Sequence, residues 1–118
     1  MTALGRETGG GLIFSPDGFT YTNRASIVEL AARYRLPAIY GIPSTAAEGG
    51  LILYGVDLTD QYRLAASYVD RIVRGEKPAE LPVQQPIKFS LTINGKTAKA
   101  LGLTIPETLL ATADEVIQ

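Results

Sequence analysis

Three short apolar runs, each closed by a proline- or glycine-containing turn, constrain this chain most. They are Gly11-Leu12-Ile13-Phe14, Pro37-Ala38-Ile39-Tyr40 and Leu51-Ile52-Leu53-Tyr54. Runs this short and continuous suit strands covered on both faces, as in parallel sheets. Ser15-Pro16-Asp17-Gly18 closes the first and Gly41-Ile42-Pro43 the second, and Pro and Gly supply the fixed or unusual φ of a turn. Between the first two runs, Ile27, Val28, Ala31 and Tyr34 form a helical stripe. The spacing predicts a helix capped by Thr22 or Asn23 and running to about Arg35, ended by Pro37, which pushes Leu36 out of the helical region. Ser44 to Glu48 can make one helical turn before Gly49-Gly50 stops it.

The second half continues the alternation. Asp57 or Thr59 caps a helix to about Arg74, with Tyr62, Ala65, Ala66, Val69, Ile72 and Val73 repeating at three- and four-residue steps. Gly75 is a ready residue for its end. Glu76 to Pro86 reads as an extended connector. Ile87, Phe89, Leu91 and Ile93 alternate with Lys88, Ser90, Thr92 and Asn94, a strand buried on one face. Asn94 caps a short helix through Leu101 with Gly102 at its end; Thr104-Ile105-Pro106-Glu107 resembles a capping box opening another; Ala113 to Ile117 is a candidate last strand. Strands alternating with helices imply an α/β fold, a three-layer α/β sandwich. Residues 1–10, Gly-rich and without periodicity, read as a flexible lead-in, and 11–118 as the ordered domain.

Composition excludes several kinds of function. The chain of 118 residues has no Cys and no His, which removes Ser-His-Asp and Cys-His catalysis and the main ligands of zinc, iron–sulfur and haem sites. No cofactor is expected. Net charge is −1, from 11 basic and 12 acidic residues without a basic cluster, which argues against a nucleic-acid partner. Met1 to Gly11 has no apolar core of the kind a secretory signal needs. Gly95-Lys96-Thr97 ends like a phosphate loop, but Ser90 stands where the motif needs its first Gly. Asp114 and Glu115 read as solvated carboxylates, and no pair suits acid–base chemistry.

Ligands of open α/β sheets gather beyond the carboxyl ends of the strands. Phe14, Ser15, Pro16, Asp17, Tyr40, Gly41, Tyr54 and Gly55 fall there, with Phe19, Tyr21, Ser44 and Asp57 nearby. Aromatic walls with a few oriented polar groups describe a small-molecule pocket. Aromatics at strand ends are equally consistent with plain core, and polar residues there with turns and caps; Asp57 in particular precedes a helix and is placed to cap it.

The stretch from Arg24 through Ile27-Val28-Glu29-Leu30-Ala31-Ala32-Arg33-Tyr34-Arg35-Leu36-Pro37-Ala38-Ile39-Tyr40 resembles a segment of the ABC-transporter substrate-binding protein family that includes tryptophan- and phenylalanine-binding members. Glu48-Gly49-Gly50-Leu51 through Tyr54-Gly55, Gly75 through Pro86, Lys88-Phe89, and Asn94 with Lys96 through Leu103 continue the match in one order. The resemblance implies one lobe of a class I periplasmic binding protein-like fold, here the carboxyl-terminal lobe, and a non-enzymatic role in solute uptake. It implies a small amino acid-like or aromatic ligand, a permease as partner of the full-length protein, and a periplasmic or membrane-associated extracytoplasmic location. Relatives that bind amino acids carry an acidic side chain where Asp17 stands, suited to a ligand ammonium. A sensory or regulatory ligand-binding domain of the same fold is the alternative. With a first lobe absent, the stripe of Tyr62, Ala66, Val69 and Val73 would lose its cover, and the chain is expected to form a homo-oligomer, exchanging this helix or the strand at 87–93.

Overall fold

A computed structural model describes residues 1–6 and 9–118. The chain divides into two compact units, 1–55 with 90–118, and 56–89. Five strands, β1 (Leu12–Phe14), β2 (Ala38–Tyr40), β3 (Ile52–Val56), β4 (Phe89–Asn94) and β5 (Glu115–Ile117), form one sheet in sequential order. The helices are α1 (Gly18–Thr22), α2 (Arg24–Arg33), α3 (Leu58–Val73), α4 (Gly95–Leu101) and α5 (Glu107–Thr112). β1 pairs β2, β2 pairs β3 and β4 pairs β5 in parallel. The fold is mixed α/β, a sheet flanked by helices, as the alternation of patterns predicts.

In the larger unit, Ile27, Val28 and Ala31 of α2 pack on Ala38 and Tyr40 of β2, with Leu12, Phe14 and Met1 against them. Met1 therefore touches the core, and Leu4–Arg6 forms a 3₁₀ turn. The loop from Ile42 to Gly50 is tied down by polar bonds. The Thr45 hydroxyl donates to the Ile42 carbonyl (2.7 Å), the Asn94 amide to the Ala46 carbonyl (3.1 Å) and the Thr97 hydroxyl to the Gly49 carbonyl (2.9 Å). Asn94 also accepts from the Thr97 N–H at 3.1 Å and so caps α4, as its position predicts. Gly102 follows with φ +71°, the left-handed conformation a helix end favours.

Four local expectations change. The first helix is two: α1 opens at Gly18 under Asp17, and Asn23 separates it from α2, its side chain spent on the Phe19 carbonyl (2.9 Å). The helix ends at Arg33, and Arg35 takes φ +52° before Pro37. The strand at 87–93 begins at Phe89, and Ile87 is exposed, while Thr92, Ile93 and Asn94 are all buried; its inner half is covered on both faces, not one. The capping box at Thr104 does not form, because α5 starts after Pro106, which caps without a side-chain bond.

In the unit 56–89, Asp57 caps α3 through the Asp60 N–H (3.1 Å) and pairs with Lys88 (2.9 Å). The connector contains a 3₁₀ turn, Pro78–Glu80, and is fastened by Tyr68 to the Pro82 carbonyl and by Arg71 to Glu76. No residue of α3 is buried.

Burial pushes the Tyr40 phenol up to about 12, against about 10 in an unfolded chain. The fold favours the neutral form. That share of stability is complete below pH about 10 and is lost as pH rises towards about 12. Tyr40→Phe is therefore expected to show a shallower loss of stability between pH 10 and 12 than the parent chain in urea unfolding.

Candidate functional site

Register places the three strand exits together. Phe14 pairs with Tyr40, and Tyr40 with Leu53, so β1, β2 and β3 finish along one edge of the sheet. The backbones beyond them are in close contact. The Gly41 N–H donates to the Phe14 carbonyl at 3.0 Å. A Cβ on Gly41 would lie 2.7 Å from Cδ of Pro16, and one on Gly55 would lie 3.1 Å from the Gly41 carbonyl oxygen. Pro16, Gly41 and Gly55 thus stack in sequence because two of them lack side chains. Ser15 and Asp17 flank Pro16 in the same turn, and both are exposed.

The aromatic residues divide by strand parity, since partners in a parallel register share a face and successive residues alternate. Phe14, Tyr40 and Leu53 point to the α2 face. Tyr40 is 2% exposed, and its ring stacks on that of Phe14 at 5.4 Å with 13° between planes. Reading Tyr40 as a wall of the pocket gives way here: its ring is core, seated where a Cβ on Gly50 would come within 3.0 Å of it. Tyr54 belongs to the opposite face and is exposed. Phe19 and Tyr21 on α1 are exposed, Tyr21 beneath the Arg24 guanidinium at 5.0 Å. Ser44 is exposed in the 42–50 loop, and Asp57 lies in the other unit as a helix cap.

Asp17 is the charged group of the edge. The Thr20 N–H donates to its carboxylate at 2.8 Å and Thr20 Oγ accepts from the Asp17 N–H, a full capping box. That backbone bond to Thr20 holds the exposed carboxyl below its ordinary range, and the Thr20 side chain and the Phe19 N–H act in the same direction. Asp17 is an anion at neutral pH, fixed in direction by α1 and open to solvent. Chemically it can pair with an ammonium group. Asn caps as well as Asp does. Asp17→Asn should leave the melting temperature almost unchanged, whereas Asp17→Ala should lower it by several degrees, as read by thermal denaturation.

Sequence reasoning missed a groove of about 750 Å³ between α2 and α4, lined by Val28, Glu29, Ala32, Arg35, Lys96 and Leu101 among others. Nothing in helical spacing shows that two helices remote in sequence stand side by side. Among the described residues no group of His, Cys, Asp or Glu could hold a metal ion. Among them, too, no helix is long and apolar enough to cross a membrane.

The five-stranded sheet flanked by helices matches periplasmic binding protein-like structures. The model of the ABC transporter substrate-binding protein family matches residues 2–117, and the chain belongs to that family. It is similar to a conserved domain protein from Vibrio cholerae O1 biovar El Tor, with 28% identity and a TM-score of 0.83 over 89% of this chain and 36% of that one. It is similar to an ABC domain from Streptococcus pneumoniae solved in complex with L-Trp, with 28% identity and a TM-score of 0.82 over 90% and 36%. A ligand-free, open substrate-binding protein with adhesive properties from Clostridium difficile, 18% identical, shares the fold at a TM-score of 0.62 over 91% and 36%. No curated protein matches. The chain spans 36% of the length of these solved relatives.

Proposed function

We propose that this chain is the carboxyl-terminal lobe of a solute-capture protein that binds a small organic molecule bearing an ammonium group, amino acid-like or aromatic, for an ABC permease, and that it does no chemistry on it. The single observation that carries the reading is the close stack of Pro16, Gly41 and Gly55 beyond three adjacent parallel strands, with the Asp17 carboxylate held beside it. The solute lies against the strand-exit turns in this reading, and one fixed anion selects for a cation. In this reading Ser15, Pro16, Asp17, Gly41 and Gly55 meet the solute, Tyr54 flanks it, and Phe14 and Tyr40 hold the strands from behind. The pneumococcal relative's L-Trp supports a ligand of that class. Family membership supports an extracytoplasmic location and a permease partner, reached by closure of two lobes over the solute.

Titration of the chain with L-tryptophan, L-phenylalanine and their deaminated acids tests the reading. Binding of the amines, weaker by about tenfold or more in Asp17→Asn and for the deaminated acids, is expected. Equal binding of acids and amines would contradict the role of Asp17.

A further inference from the structure

Thr20, the third residue of α1, stands behind the Asp17 carboxylate. Asp17 and Ser15 are exposed, and Thr20 is half-buried. Its N–H donates to the Asp17 carboxylate at 2.8 Å, and its hydroxyl accepts from the Asp17 N–H at 3.1 Å. A hydroxyl also has one proton to give. Here it reaches back to the Ser15 carbonyl at 2.8 Å, nearer than the Asp17 carbonyl at 3.1 Å. One side chain thus holds the backbone on both sides of Pro16, while the N–H of the same residue holds the carboxylate. We infer that Thr20 is a positioning residue for amine selectivity: it fixes the Ser15–Asp17 turn, and through that turn the direction in which Asp17 meets a solute's ammonium group. The inference rests on Asp17 making that contact.

The helix that carries Thr20 is itself anchored. α1 has five residues, too few to hold a helix by its own backbone bonds. At its far end the Thr22 hydroxyl donates to the Gly18 carbonyl at 2.8 Å and the Asn23 amide to the Phe19 carbonyl at 2.9 Å. Arg24 donates to the Tyr21 carbonyl at 3.1 Å and pairs with Glu48 at 2.9 Å. That pair ties the end of α1 to the 42–50 loop, which starts just beyond Gly41. Thr20 therefore acts from a fixed place. A recognition group locked by supporting hydrogen bonds selects by geometry as well as by charge. Without the Thr20 hydroxyl, Asp17 would keep its charge and its bond from the Thr20 N–H. The Ser15 carbonyl and the Asp17 N–H would turn to water, and the turn would lose its link to α1.

Calorimetric titration of the chain with L-tryptophan and with its deaminated acid tests this. Thr20→Val nearly keeps the shape of the side chain and removes the hydroxyl. It should weaken L-tryptophan about threefold to tenfold, the worth of one hydrogen bond, and leave the acid unchanged. Thr20→Ser keeps the hydroxyl and should bind both as the parent does. In the Asp17→Asn background Thr20→Val should add little, because a residue that acts through another is not additive with it. A merely structural role would weaken amine and acid alike. That result would overturn the inference. So would an amine affinity untouched by Thr20→Val, a loss that Thr20→Ser fails to restore, or an equal loss in the Asp17→Asn background. In each of these cases a parent that prefers the amine leaves the role of Asp17 standing. A parent that binds amine and acid equally removes that role, and the inference with it.

Discussion

Tyr40→Ala is expected to lower the stability of the chain by about 3–5 kcal/mol, the range for removing a large buried aromatic ring. The ring is packed on Phe14 from one side and on Ile27, Val28 and Ala31 from another, and it closes over Gly50. A vacancy there cannot collapse easily, because β2 is held between β1 and β3 and the 42–50 loop is pinned by Asn94 and Thr97. Domains of this size are stable by roughly 5–15 kcal/mol, so the loss is a large share of the total. Tyr40→Phe keeps the ring and should lose far less. Chemical denaturation of the two variants separates them; equal losses would mean that the hydroxyl, not the packed ring, matters at this position.

Gly41→Ala should have the largest effect on binding. Its methyl would stand 2.7 Å from Cδ and 3.3 Å from Cγ of Pro16. A proline ring cannot rotate away, so the Ser15–Asp17 segment must move as a unit. Overpacking of this kind costs about 1–3 kcal/mol, and a recognition surface tolerates displacement of only about 0.5 Å before it loosens. A fall in solute affinity of about tenfold or more is expected by calorimetry, with the fold retained. Gly50→Ala makes a useful contrast. It clashes with the Thr45 carbonyl and the Tyr40 ring in the core, and should reduce stability more than affinity. If Gly41→Ala binds as the parent does, the stacked edge is not where the solute sits.

Much of this architecture is legible in the residues. The apolar runs at Leu12–Phe14 and Ala38–Tyr40 are strands, Asn94 and Asp57 do cap their helices, and Gly75 and Gly102 take positive φ where the helices end. These features depend on neighbours in sequence. Where the reading differs, the deciding partner is distant or competes locally. Tyr40 could be assigned to a face only once its register with Phe14 and Leu53 was known. Asn23 has the chemistry of a cap but donates to Phe19 instead, because Asp17 had already started a helix upstream. Thr92 and Asn94 look like the solvent side of an alternating strand, yet both are buried: Asn94 spends its amide on the Ala46 carbonyl. The proximity of Pro16, Gly41 and Gly55, on which the binding edge depends, has no sequence signal beyond the residues' smallness and place after a strand.

Amide chemical shifts of the labelled chain during titration with L-tryptophan address the central claim most directly, since they register even millimolar binding residue by residue. The account predicts saturable changes at Ser15, Asp17, Gly41 and Gly55 that are abolished in Gly41→Ala. Changes confined to the groove between α2 and α4, or to none of these residues for any amine in the series, would contradict it.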